Sequence, residues 1–202
     1  MFSKRLMLAV SIGALATIAV PAGAQQQSES YKFLQAVRDA KGNDVLEILN
    51  KPGSTIVNTR DRTSGEGALH IVVARGDETY LRFLLQKGAD ANMRDNKGNT
   101  PMLVAVNKGF TGLIPVLVAA KANPNIANAA GETPLIRAAQ NRDLGTIRVL
   151  LANGADPDQA DIIAGMSARD YATRDARNAA ITKLFSETPR KGARPAVAGP
   201  KF

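Results

Sequence analysis

Apolar residues along most of this chain fall into short paired clusters with polar, glycine-bearing turns between them. The clearest pairs lie in GNTPMLVAVNKGFTGLIPVLVAAKAN, from residue 98, and GETPLIRAAQNRDLGTIRVLLANGAD, from residue 131. Gly98 aligns with Gly131, Thr100-Pro101 with Thr133-Pro134, Ala105-Val106 with Ala138-Ala139, Leu117-Val118 with Leu150-Leu151 and Ala122-Asn123 with Ala155-Asp156, all at an offset of 33. A fixed period of this size marks a stacked repeat array. In each pass, Thr-Pro predicts a side-chain cap followed by proline at the first helical position, where its missing N–H costs nothing. The small apolar run after it predicts a first helix that can pack closely. A second apolar helix, 144–152 in the later copy, ends at Gly154, suited to the left-handed backbone of a helix C-terminus. One unit is therefore helix, turn, helix and protruding turn.

The pattern divides the chain into five units, about 30–63, 64–97, 98–130, 131–163 and 164–186. The first is degraded: it lacks Thr-Pro and has a longer loop with Pro52-Gly53. A terminal cap reads this way, because its outer face meets water. In the second, Gly67-Ala68 stands at the Thr-Pro site and predicts a weaker helix start. The third has Lys121 in place of the helix-ending glycine, and Pro115 predicts a late start or a kink in its second helix. The fifth follows one inserted residue, has Ser167-Ala168 at the Thr-Pro site, and places its second helix over 179–185.

The period, the TPLH-like starts (Thr133-Pro134-Leu135, Leu69-His70) and the GAD-like ends (Gly88-Ala89-Asp90, Gly154-Ala155-Asp156) resemble the ankyrin repeat family. With the N-terminal segment described below, the chain resembles small exported bacterial members of it. The resemblance implies an all-α solenoid of stacked helix-turn-helix units with protruding β-turn fingers, acting as a non-enzymatic module that binds a protein partner through a concave face. It assigns contact to the fingertips Arg62, Thr63, Ser64 and Glu66, then Asn96, Lys97 and Asn99, then Ala129, Ala130 and Glu132, then Ile162, Ile163 and Met166. The exposed ends of the first helices add Ala74, Arg75, Asn107, Lys108, Gln140, Asn141, Thr173 and Arg174. It also makes His70 a structural hydrogen-bonding group between neighbouring repeats. Such an array is expected to be monomeric and to need no cofactor or metal.

The ends of the chain differ from the repeats. Lys4 and Arg5 precede an apolar run over 6–20, followed by Ala22-Gly23-Ala24, the layout of a secretory signal peptide cleaved after Ala24. The run falls short of the roughly 20 residues that span a bilayer, against the rival reading of a retained anchor. Export to the periplasm, or secretion, is the expectation, with 25–29 a polar leader. Residues 187–202 are rich in Pro, Gly and basic residues and read as a disordered tail. Of the net +8, Lys4 and Arg5 carry two charges and Arg190, Lys191, Arg194 and Lys201 four, leaving +2 on 25–188. The repeats are nearly balanced, so the high pI does not point to nucleic acid. The tail suits weak contact with an anionic surface, the basis of an alternative in which the protein is an accessory factor of the cell envelope.

Catalytic constellations are missing. There is no cysteine and one histidine, His70, which excludes thiol catalysis, disulfides and multi-histidine metal sites. Asp90 and Asp156 occupy one repeat position and are expected to hold their turns through backbone N–H groups. One feature stands out: Ile162, Ile163 and Met166 put large apolar side chains on a finger expected to be wet. They are either an anchor for a partner or a loop folded back over the C-terminal cap.

Overall fold

The computed structural model describes residues 22–174 and 178–190. They form α1 (Ala22–Arg38), α2 (Gly42–Leu49), a 3₁₀ turn (Ile56–Asn58), α3 (Ala68–Arg75), α4 (Glu78–Gln86), α5 (Pro101–Lys108), α6 (Leu113–Ala119), α7 (Pro134–Gln140), α8 (Leu144–Ala152), α9 (Ala168–Arg174) and α10 (Ala179–Glu187). Most of the expected signal segment and most of the basic tail lie outside the described residues. The stretch read as a polar leader, 25–29, is helical and continuous with α1.

The helices pair within units and stack between them. The first helices make one row, α1 on α3 on α5 on α7 on α9, with α2, α4, α6, α8 and α10 behind. Small residues on the inner row permit close approach: Ala105 and Ala138 are fully buried. Leu81, Leu84, Leu117, Ile147 and Leu150 seal the second row from water, each contributing about 2 kcal/mol by transfer. Phe33 and Phe185 close the two ends of one continuous core.

Local chemistry explains the helix boundaries. Thr100 and Thr133 accept from the N–H groups of Leu103 and Ile136 at 3.3 and 3.2 Å, with Pro101 and Pro134 next in line. Gly67 has no side chain to offer, and the second unit solves its start differently: the Gly67 N–H donates to His70 Nδ1 at 3.1 Å. Asp77 and Asp143 cap α4 and α8. The register equivalent of both in unit three is Phe110, which cannot cap. Its ring instead fills the space beside Gly76, where a Cβ would stand 2.8 Å from it. So α6 begins at Leu113, two residues later than α8 by register, and Pro115 falls in its first turn, where proline is tolerated. Lys121 takes the left-handed φ of 65° that Gly88 and Gly154 take at 85° and 84°.

A second set of rungs joins the units behind the helices. Asn58, Asn92 and Asn125 each donate from Nδ2 to the carbonyl at the end of the next unit's second helix, those of Gly88, Lys121 and Gly154, at 3.1 Å. Each also accepts through Oδ1 from the N–H of Asp90, Asn123 or Asp156 at 2.7 Å. Asp90 and Asp156 in turn accept from the N–H groups of Asn92 and Asp158, the turn-holding role expected of them.

Candidate protein-binding face

Four turns project between the units on one plan, the first and last one residue longer than the two between them. Each opens on an acceptor side chain, Asp61, Asp95, Asn128 or Asp161, that turns back onto N–H groups within its own turn. Each then passes through a left-handed glycine, Gly65, Gly98, Gly131 or Gly165. An antiparallel bridge closes the first and last turns, Arg60 to Gly67 and Ala160 to Ser167.

The tips are fused to one another. Asn96 N–H donates to Ser64 O at 3.0 Å, Ala129 N–H to Lys97 O at 3.0 Å and Ile162 N–H to Ala130 O at 3.1 Å. Glycine is required for this contact: a Cβ on Gly98 would stand 2.7 Å from Ala129 N, and one on Gly131 would collide with the Ile162 backbone. The four fingers therefore form a single ledge joined by main-chain bonds, with Arg62, Thr63, Asn96, Lys97, Ala129, Ile162 and Ile163 exposed along it.

Electrostatics hold the ends of the ledge. Arg38 on α1 bonds Asp61 at 2.8 Å; that guanidinium, with the Ser64 and Thr63 N–H groups, holds the carboxyl at a pKa of about 2. At the other end burial would raise Asp161, but the Tyr171 hydroxyl at 2.7 Å and the N–H groups of Ala164, Gly165 and Ile163 keep it below the usual carboxylate range. Between the second and third units His70 donates from Nε2 to Asn99 O at 3.0 Å while Nδ1 accepts from Gly67, so the neutral ring links one unit's helix start to the next finger. Burial lowers its pKa.

The positions predicted for contact divide by their internal commitments. Arg62, Thr63, Asn96, Lys97, Asn107, Lys108, Asn141, Ile162 and Ile163 are exposed, as is Arg75. Ser64, Glu66, Asn99, Glu132, Gln140 and Met166 are half-buried. Ser64 and Glu66 bond each other, Asn99 bonds Asp95, Glu132 pairs with Arg137, and Arg75 bonds Val37 O and Asp77. Asn96 donates to Thr63 O. These groups build the ledge as much as they decorate it. Ile162 and Ile163 are 77% and 82% exposed, so the fourth finger does not fold its isoleucines over the cap; only Met166 turns inward.

A family model for ankyrin repeats (3 copies) matches residues 33–128, 69–161 and 102–191. The chain belongs to the ankyrin-repeat family. It is 33% identical over 90 residues, 44% of its length, to an ankyrin repeat protein of Acanthamoeba polyphaga mimivirus. It is 35% identical over 79 residues, 39% of its length, to neurogenic locus notch homolog protein 1 of Xenopus laevis, and 38% identical over 65 residues, 32% of its length, to the human protein of that name. The chain spans only 12%, 3% and 2% of those relatives. Ankyrin repeats are protein–protein interaction modules, typically scaffolds without enzymatic activity. Among the described residues no helix is long and apolar enough to cross a membrane.

Sequence reasoning missed the side chains that join the ankyrin units. The signals were there: Asn58, Asn92 and Asn125 recur at 34 and 33 residues, and Asp61, Asp95, Asn128 and Asp161 at 34, 33 and 33. The asparagines are rungs between units, and the acceptors of the second series hold the fingers.

Proposed function

We propose that the chain is an exported, periplasmic protein-binding module that engages its partner through the finger ledge and the adjoining ends of the first helices. The observation that carries this reading is the fused ledge. Four fingertips are locked by main-chain bonds from unit to unit, so little ordering entropy is lost when a partner docks, and their side chains face outward. Export rests on the basic residues and apolar run that open the chain.

Site-specific photo-crosslinking tests the binding. A crosslinker at Thr63 or Ala130 should capture one dominant protein in the exported fraction, whereas one on the opposite side, at Arg82 of α4, should not. Equal capture from both positions, or none from the ledge, would remove it. Export is tested by the N-terminal mass of the mature protein: a chain beginning at Gln25 outside the cytoplasm is expected, and an intact chain inside would sink it.

A further inference from the structure

The ledge is chemically graded from end to end. Its first two tips carry Arg62, Thr63, Asn96 and Lys97; its third carries Ala129 and Ala130; its fourth carries Ile162 and Ile163. The backbone bonds between tips fix this gradient in space.

Charge on the ledge is also one-sided in what it leaves available. The carboxylates are committed: Asp61 to Arg38, Glu132 to Arg137, Glu66 to the Ser64 hydroxyl, and Asp95 and Asp161 to N–H groups of their own turns. Arg62 and Lys97 are exposed, and among the described residues their side chains take part in no ion pair or hydrogen bond. An acidic partner group would find those two exposed cations unpaired, whereas Asp61 and Glu132 already hold guanidinium partners. At the far end the two isoleucines gain by losing water, and among the described residues the cap leaves them exposed.

We infer that the partner presents an acidic segment ending in aliphatic side chains, lying along the fingertips with its carboxylates over Arg62 and Lys97 and its apolar end on Ile162 and Ile163. Helix pairs pack at about 8–10 Å, which sets the first and fourth tips about 25–30 Å apart. That is the reach of about eight or nine extended residues at roughly 3.3 Å each. Long-range attraction at one end would orient the segment and speed its encounter, as complementary charge does, while the isoleucines would slow its release.

This assignment rests on the binding reading above and adds the partner's chemistry. Its test is selection from a display library of random twelve-residue peptides on the wild-type protein. Selected sequences should be rich in Asp and Glu toward one end and in Leu, Ile or Val toward the other. R62E combined with K97E should reverse the selected charge and weaken wild-type peptides at least tenfold. I162N combined with I163N should weaken them by a similar factor while leaving their salt dependence intact. Circular dichroism of both variants should match wild type, since all four side chains are exposed.

Selected peptides without the acidic or aliphatic bias, peptides indifferent to both double variants, or no enrichment at all would overturn the assignment. So would binding to vesicles of anionic phospholipid that both double variants abolish, which would give the ledge to a lipid surface. The crosslinking result separates the two levels. A protein captured at Thr63 or Ala130 alongside a failed selection keeps the ledge as a binding face and removes only the acidic and aliphatic partner.

Discussion

The interior rungs and the C-terminal end of the array solve one problem with different chemistry. After α4, α6 and α8 the last carbonyl is met by an asparagine from the preceding unit, whose amide donates there and accepts from the next N–H two residues on. At the next register position the chain has Asp158, which can accept but not donate. The donors come instead from Arg169, which is 9% exposed: its guanidinium bonds Asp158 at 2.7 Å and reaches the carbonyls of Phe185 and Thr188 at the end of α10. A neutral amide suffices where another unit follows. In the last described unit a long side chain anchored by a charge takes that role.

Arg169→Met should break that comparison most visibly. It leaves two helix-end carbonyls and a partly exposed carboxylate without their donor. We expect a loss of about 3 kcal/mol, below the largest values for buried pairs because Asp158 keeps access to water. In a quasi-one-dimensional array the damage should stay local. Hydrogen exchange should speed in α10 and leave α5 and α7 unchanged; uniform loss across all units would show that the end is not a separate cap.

Asn125→Asp sharpens the contrast by giving an interior rung the terminal chemistry without its arginine. The carboxylate still accepts from Asp156 N–H but faces the Gly154 carbonyl with no donor, so a loss of about 1–2 kcal/mol in urea denaturation is expected. Asp158→Asn should cost less than 1 kcal/mol, because an amide oxygen still accepts from Arg169. Equal losses at both positions would mean that the donor to the carbonyl is not what matters.

What the sequence made legible follows from what repeats. The helix pairs, the two Thr-Pro starts and the left-handed turns at Gly88 and Gly154 were readable because each recurs with the repeat period and keeps its residue type. The start of the second unit was harder. Gly67 reads as a lost cap, and only the fold brings His70 Nδ1 back to its N–H. Arg169 was legible only as polarity, since its partners lie 11, 16 and 19 residues away on other elements. The ledge was expected from the family resemblance, but its coherence comes from backbone bonds that no side chain announces.

His70 offers an interface that pH can loosen. Burial depresses its pKa below the ordinary 6.5, so the unfolded chain binds the proton more readily than the folded one. Its contribution to stability is full above about 6.5 and is lost as pH falls from there through the depressed folded value. Protonation of Nδ1 also ends its acceptance from Gly67. The urea midpoint should fall between pH 7.5 and 5.5, and His70→Gln should flatten that dependence. An unchanged slope would place the titration elsewhere.

The smallest effect expected is a gain, and it concerns the interior units alone. Lys121 occupies the turn that glycine fills in the units on either side, at a φ of 65° that a side chain resists. Its carbonyl accepts from Asn92 Nδ2 at 3.1 Å, a bond that uses only the backbone of residue 121 and survives substitution. Lys121→Gly relieves the crowding of Cβ against the following carbonyl, while freeing the unfolded chain returns part of the gain. A net stabilisation of about 0.5–1 kcal/mol should appear as a higher urea midpoint with an unchanged slope. If the midpoint falls instead, the lysine stem packs on the array well enough to outweigh the strain, and the interior turns differ from one another in more than their backbone.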